Sequence, residues 1–257
     1  MKAMILAAGL GTRLQPLTNH RPKALVEVGG RTLLEITLSR LRAFGVREVI
    51  VNTHHFAEMI VEYLKANDNF GMRIEISREE QLLDTGGGLK KAVPLFLDSS
   101  GNLQEPFILH NVDVISTIDF GCMVRFHTEQ AALATLAVQD RETSRYLLFD
   151  EQNQLCGRRT AAVAKGECAQ VELVRPIEQA QALAFSGIHV ISPKLFSRMH
   201  EEGAFSIISI YLNLAAEHER ILAFRADESY WRDLGRPESV VEAASDLASG
   251  KYPAAAC

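Results

Sequence analysis

The sequence predicts an α/β fold of three layers, a mostly parallel central sheet between two layers of helices, with a small β-meander in its second half. Three observations carry this. Short apolar runs alternate with amphipathic helical segments through the first half, and the rhythm then shifts to strand after strand. The chain has 257 residues, 47% hydrophobic and 23% charged, which suffices to bury a core of that size.

In order, Ala3–Ala8 is an apolar run that reads as a buried strand. Thr32-Leu33-Leu34-Glu35 fits a capping box, with Leu34, Leu38 and Leu41 on one helical face and Gly45 as the stop. "REVIVNTHH" predicts a second strand and "FAEMIVEYLK" a second helix. "MRIEIS" alternates as a third strand, "TGGGLKKAVPLF" turns into a helix, and "PFILHNVDVIS" is a fourth strand. In such a sheet, ligands sit at the carboxyl ends of the strands. "LATLAVQD", "SRYLLFD" and "QLCGRR" then read as meandering strands, with Asp150-Glu151-Gln152-Asn153 as a hairpin turn. "LAFSGIHVIS" returns as a buried strand, "FSIISIYLNLAAEHE" as a helix capped by Ser206, and "RILAFRA" as a last strand. Pro237 opens a final helix that stops near Gly250. No fixed-period repeat or hexapeptide pattern is present, so the expectation is one domain over 1–250 and a flexible tail over 251–257.

The formal net charge of −5 repels nucleic acid and anionic membrane, so neither is an expected partner. An anionic small substrate then needs a local cluster of cations and backbone amides. Cys122, Cys156, Cys168 and Cys257 show no CxxC pairing, which fits a reduced cytoplasmic protein without structural zinc. The first apolar run is broken by Gly9 and followed by Arg13, too short and wrongly flanked for a signal peptide. His54-His55 has no further ligand at metal spacing and reads as structural or substrate-lining.

Gly9-Leu10-Gly11-Thr12-Arg13-Leu14 follows the first strand. A dinucleotide fingerprint wants a third glycine where Leu14 stands, and an acid closing the second strand, which ends in Asn52-Thr53-His54. The Walker pattern fails for want of a lysine after Gly11. Two glycines alone are an ordinary turn. Arg13, and then Lys23 behind Pro22, lift the stretch above that.

The run "LAAGLGTRLQPLTNHRPKALVEVGGRTLLE" resembles the nucleotide-binding loop of sugar-1-phosphate nucleotidyltransferases, whose Gly-x-Gly-Thr-Arg is followed by nine residues and Lys. The resemblance covers almost the whole chain and implies a Rossmann-like three-layer nucleotidyltransferase fold, with the meander on the sugar side. It implies transfer of NMP from an NTP to a sugar 1-phosphate, with Mg²⁺ as cofactor. Leu6, Ala7, Ala8, Gly9, Gly11 and Thr12 would cradle the triphosphate, while Arg13 and Lys23 neutralise charge on the α-phosphate and the departing pyrophosphate.

"LLDTGGGLKKA" is either a loop into a helix capped by Thr85 or a base-binding segment. Three successive glycines are costly for the first, and the family's use of this segment favours the second. Thr85, Gly86 and Gly87, followed by Gly88, would lie flat against the nucleobase, and Glu79 or Glu80 would meet the base or ribose. With "VNTHHFAE" upstream, the Thr-Gly-Gly-Gly form is most similar to the N-acetylmuramic acid 1-phosphate uridylyltransferase branch, with mannose-1-phosphate guanylyltransferases as near relatives.

In "HNVDVIS", Asp113 matches the family's metal-binding Asp, with Val112 where relatives carry Gly and Asn111 placed to brace either the ribose or the acidic ligand. Asp233 in "WRDLG" supplies the second carboxylate, so two acids share one Mg²⁺ with phosphate oxygens and water. On the sugar side the resemblance marks Ser186 and Gly187. Asn52 and Arg145 are further candidates, and Arg175 in Val-Arg-Pro stands where relatives have Glu-Lys-Pro. Trp231 reads as a packing anchor. The oligomeric state stays open between monomer and homodimer. A mannose-1-phosphate guanylyltransferase, a cytidylyltransferase of phosphoalcohols, and a non-catalytic sensor of an NDP-sugar are the alternatives.

Overall fold

A computed structural model describes residues 1–97, 105–161 and 169–252. The expected residues Cys168, Cys257 and 253–257 lie outside it. The first half runs β1 (Lys2–Leu6), β2 (Glu27–Val28), β3 (Arg31–Thr32), α1 (Leu33–Phe44), β4 (Glu48–Thr53), α2 (Ala57–Ala66), β5 (Arg73–Arg78) and α3 (Asp84–Phe96). Next come β6 (Phe107–Asn111), β7 (Val114–Ser116), α4 (Phe120–Glu129), β8 (Ala134–Gln139), β9 (Arg145–Phe149), β10 (Leu155–Thr160) and β11 (Gln170–Leu173). The chain closes with β12 (Gln181–Ile191), α5 (Ile207–Ala216), β13 (Ile221–Arg225), β14 (Trp231–Asp233) and α6 (Pro237–Ala248).

The main sheet runs β11-β10-β9-β12-β6-β1-β4-β5, with β8 paired to β12 and β13 paired to β8. β6, β1, β4 and β5 are mutually parallel, while β12 and the β9–β11 meander continue antiparallel. The inner parallel strands β1, β4 and β6 are mainly apolar because both faces are covered, whereas β5 at the edge alternates with Arg73, Glu75 and Arg78. Ala3, Ile5, Val49 and Val51 pack beneath α1, α2, α4 and α6, whereas Met4, Ile50 and Leu109 pack beneath α3 and α5. Three layers result, as the sequence predicts. The Thr32 side chain accepts from Glu35 N and Gly45 ends α1 at φ 102°, the expected cap and stop. Among the described residues no helix is long and apolar enough to cross a membrane.

Two expectations change here. Tyr252, placed in the flexible tail by its small-residue surroundings, is fully buried, with its ring centroid 5.0 Å from that of Tyr230. The single apolar run "PFILHNVDVIS" splits into β6 and β7, because β7 leaves the main sheet to pair antiparallel with β14. That two-stranded ribbon places Asp233 opposite Val114, and Leu234 N donates to Asp113 O at 2.7 Å.

The triple glycine is part of α3, buried against protein. Gly86 N and Gly87 N both donate to Phe205 O, which satisfies donors that a first helical turn otherwise leaves open. A Cβ at Gly86 would lie 2.5 Å from the Phe205 ring, one at Gly87 2.4 Å from Gly203 O, and one at Gly88 2.6 Å from Glu79 Oε1. The close helix–loop junction by itself requires glycine at these positions. Nor does Thr85 cap its own helix, since its hydroxyl accepts from Ile207 N at the start of α5. Gly87→Ala is expected to cost about 1–3 kcal/mol of stability, because the obstructing atom is backbone and overpacking outweighs the helix propensity gained. Gly9→Ala, with nothing within 4 Å of the new methyl, is the matched control. A thermal-melting comparison decides, and equal Tm for both variants refutes the junction.

Candidate active site

The carboxyl ends of β4, β1 and β6 lie in register, Asn52 opposite Leu6 and Leu6 opposite Asn111. A cleft of about 380 Å³ opens there, lined by Leu6, Ala8, Gly9, Lys23, Asn52, Glu79, Leu82, Asp84, Thr85, Asn111, Val112, Asp113 and Ala204. Its floor is tied by backbone bonds, Ala7 N to Asn52 O at 3.0 Å and Val112 N to Leu6 O at 3.2 Å. Ala7 itself is buried in the core and does not face the cleft. Gly11 (φ 67°) turns the loop, and its carbonyl accepts from Thr18 Oγ1 at 2.8 Å. Gly11 and Thr12 line neither cleft and act through the backbone they shape.

Glu79, buried, accepts from Asn52 Nδ2 at 2.7 Å and from Leu83 N at 2.8 Å. This pair fixes the loop between β5 and α3 over the cleft. Asn52 thus lines the cleft of Glu79, Lys23 and Asp113, apart from Arg145 and Gly187. His54 Nδ1 bonds Glu79 O at 3.0 Å, a structural role. Lys23 opens a short helical turn, Lys23–Leu25, and its ammonium forms an ion pair with Asp113 Oδ2.

Asn111 also lines a second cleft, of about 510 Å³, with Arg13, Val114, Arg141, Thr143, Arg145, Tyr146, Arg158, Arg159, Phe185, Gly187, Trp231 and Asp233 among its walls. Gly187 (φ +73°) sits at a bulge where the register of β12 against β8 shifts between Phe185 and His189. A Cβ there would come 2.9 Å from Asn111 Nδ2, so the glycine admits the asparagine that joins the two clefts. Asp233 Oδ1 accepts from Gly235 N at 2.8 Å, and Arg13 lies close beside Gly235.

Two sugar-side candidates fall outside. Ser186 is fully buried, and its carbonyl accepts from Trp231 Nε1 at 2.8 Å. Arg175 donates through Nη2 to Asp150 Oδ2 and through Nε to Leu155 O at 3.1 Å, so it pins the β9–β10 hairpin. The acid that captures it belongs to the turn identified in the sequence.

Sequence reasoning missed Arg141. Its guanidinium lies 3.5 Å over the Trp231 ring and donates to Phe185 O at 2.8 Å, while Nε is buried without a partner. Burial pulls its pKa down to about 10, against the opposing pull of Asp233 and Tyr146. Trp231 is thus both a packing anchor and the platform that aims an arginine. The available signal was four arginines at Arg141, Arg145, Arg158 and Arg159 in and beside the meander strands.

Asp113 and Asp233 are the acids a metal would use. The β7–β14 ribbon sets the backbone of Asp233 and Leu234 beside that of Val114 and Asp113, and among the described residues no group of three or more His, Cys, Asp or Glu is placed to hold a metal ion. Two carboxylates without nitrogen or sulfur donors suit a hard cation that completes its shell with phosphate oxygens and water.

The fold is shared with solved proteins. HddC from Yersinia pseudotuberculosis complexed with GMP-PN superposes at TM-score 0.73 and 21% identity, covering 96% of this chain and 99% of that one. A UDP-glucose pyrophosphorylase complexed with UDP-glucose gives TM-score 0.73 at 18% identity over 96% and 98%. In sequence, the N-acetylmuramate alpha-1-phosphate uridylyltransferase of Caulobacter vibrioides is 34% identical over 249 residues, 96% of each chain. The mannose-1-phosphate guanylyltransferase catalytic subunit beta of Danio rerio is 30% identical over 93% of this chain, which spans only 62% of that relative's length. The family model described as Nucleotidyl transferase matches residues 2–250. The chain therefore belongs to the nucleotidyl transferase family and is an enzyme of the sugar-1-phosphate nucleotidyltransferase class.

Proposed function

We propose that this enzyme transfers UMP from UTP to N-acetylmuramate 1-phosphate, with Mg²⁺ bound by Asp113 and Asp233. The observation that carries the substrate choice is the 34% identity spanning 96% of both this chain and a uridylyltransferase of that sugar phosphate. UTP occupies the cleft of Leu6, Gly9, Lys23 and Glu79, and the sugar phosphate occupies the cleft of Arg141, Arg145 and Gly187.

An oxygen of the sugar 1-phosphate attacks the α-phosphorus of UTP while the bond to the β-phosphate oxygen breaks, giving UDP-sugar and pyrophosphate. That nucleophile is already ionised, so no protein base is required. The chain contributes position and charge. Gly9 lets phosphate approach the backbone, Lys23 and Arg13 face the charge moving to the pyrophosphate, and Asn111 stands between the two substrates. Arg141, preset on Trp231, holds the sugar phosphate. Mg²⁺, when bound, neutralises phosphate oxygens and orients the triphosphate. A mere sensor of NDP-sugar has no need of Lys23, Asp113 and Asp233 together.

Pyrophosphate release with each NTP against N-acetylmuramate, mannose and glucose 1-phosphates tests this. The expected result is strongest turnover with UTP and N-acetylmuramate 1-phosphate, abolished by EDTA and restored by Mg²⁺. Preferred use of GTP with mannose 1-phosphate overturns the substrate assignment, and metal-independent turnover overturns the role of the two acids.

A further inference from the structure

Asp113 precedes β7 and Asp233 ends β14, so both acids depend on a two-stranded ribbon set apart from the main sheet. Two strands alone are marginally stable in water, so the ribbon needs bracing from outside. On the β7 side Arg40 of α1 supplies it. Its Nη1 donates to Ser116 Oγ at 2.9 Å and its Nη2 to Ile118 O at 2.8 Å.

On the β14 side the brace is Asp246 of α6. Its Oδ2 accepts from the Tyr230 hydroxyl at 2.8 Å, from Arg232 Nη2 at 2.6 Å and from Arg232 Nε at 3.1 Å. Arg232 also ion-pairs with Glu242, one turn earlier on α6. Side chains alternate along an extended strand. Tyr230 and Arg232 accordingly reach α6, while Trp231 and Asp233 line the cleft of Arg141. Tyr230 continues the ribbon pairing, since Thr117 N donates to Tyr230 O and Tyr230 N to Thr117 Oγ1, both at 2.9 Å. Asp246 is only 8% exposed, so the grip is shielded from solvent. Docking of a helix is the ordinary role for such a network, yet α6 already docks through Val240 and Ala243 in the core. The bonds to Asp246 Oδ2 fall instead on the two residues flanking Trp231.

We infer that Asp246 is a positioning residue for the second acid: through Arg232 and Tyr230 it holds β14 so that the Asp233 carboxylate is preset for a divalent cation. The inference rests on the proposed metal role of Asp233. A carboxylate fixed beforehand loses little freedom when its ligand arrives, whereas one on a loose ribbon must first be ordered.

The test measures the Kd of the nucleoside triphosphate that the enzyme turns over best, once with Mg²⁺ and once with EDTA. The ratio of the two is the gain in affinity that the metal supplies. Asp233→Asn is the reference and is expected to lose most of that gain. Asp246→Asn, of unchanged size, is expected to lose about three- to tenfold of it, less than the roughly 10–100-fold typical for a group bonded directly to a metal ligand. Arg232→Met/Asp246→Leu removes both partners at constant net charge and is expected to lose at least as much. Both variants are expected to melt below wild type, and an unchanged Kd in EDTA establishes that the nucleotide cleft is intact. A pure docking role lowers Tm and leaves the metal-dependent gain at its wild-type value. That result, with Asp233→Asn losing the gain, overturns the inference and leaves the metal role standing. A gain absent from wild type, or retained by Asp233→Asn, overturns the metal role and the inference together. Full gain in the charge-neutral double variant, despite its loss in Asp246→Asn, assigns the effect to charge at a distance and overturns the positioning.

Discussion

Lys23→Ala is expected to reduce kcat by at least about 10²–10³-fold while the fold survives, because it deletes a fixed cation facing developing charge. Lys23 shares its cleft with Gly9, Asn111 and Asp113, and it is ion-paired to Asp113 in a site only 14% and 13% exposed at the two side chains. In that low-dielectric setting a preset ammonium needs no reorganisation when the pyrophosphate begins to leave. The expected signature is a fall in kcat larger than any rise in KM for the nucleotide, since the ammonium acts most strongly on the transition state. Removing Lys23 also leaves Asp113 without its counter-charge, so a modest loss of Tm accompanies the kinetic effect. Steady-state rates at saturating nucleotide, alongside a melting curve, read both. Turnover near wild type excludes the assignment of Lys23 to the reacting phosphates.

Acidification is expected to unfold the protein in a window set by histidines. His110, His127 and His189 are 2%, 3% and 1% exposed. Burial holds His110 and His127 at pKa values of about 4 and His189 at about 3, with Arg40 adding to the effect at His110 and the neighbouring His110 adding to it at His189. The folded state thus keeps all three neutral while the unfolded chain takes protons near pH 6.5. Below that value the unfolded state binds more protons, so stability falls as pH drops from 6.5 and levels off only near 4 to 3. At pH 5 the loss is about 2 kcal/mol per histidine, together on the order of half or more of a typical domain's stability. Melting temperature against pH from 7 to 5 measures it, and His127→Gln is expected to flatten the slope by about one proton. His127 has a partner that glutamine can keep, since its Nδ1 lies 2.9 Å from Thr135 Oγ1. A Tm unchanged between pH 7 and 5 refutes the burial of these groups as neutral imidazoles.

Sequence periodicity revealed the layers because each helix carries its own signals locally. Thr32 and Glu35 sit three residues apart, and Pro237 needs only its own ring to start α6. The loop after β1 was legible for the same reason, since its glycines, Arg13 and Lys23 lie within one short stretch. Contacts between distant segments were not. Gly86 and Gly87 looked like a ligand surface because their real neighbours, Gly203 and Phe205, lie far along the chain. Arg175 looked available until Asp150 was seen to claim it. Arg141 carried no local mark at all, because its meaning comes from Trp231 beneath it.

The β7–β14 ribbon has a consequence for how the enzyme comes into being. Asp113 and Asp233 are neighbours only through the pairing of Val114 with Asp233 and the bond from Leu234 N to Asp113 O. During synthesis the loop after β1, Lys23 and Asp113 emerge first, and Asp233 only after the long segment that follows them. Loop-closure entropy over that span has to be overcome before the ribbon forms, which makes it a late event in folding. A nascent chain released early thus carries the phosphate-facing groups yet lacks the second carboxylate. The order of residues along the polypeptide acts as a timer, withholding the second acid until the long segment that separates it from Asp113 has been made.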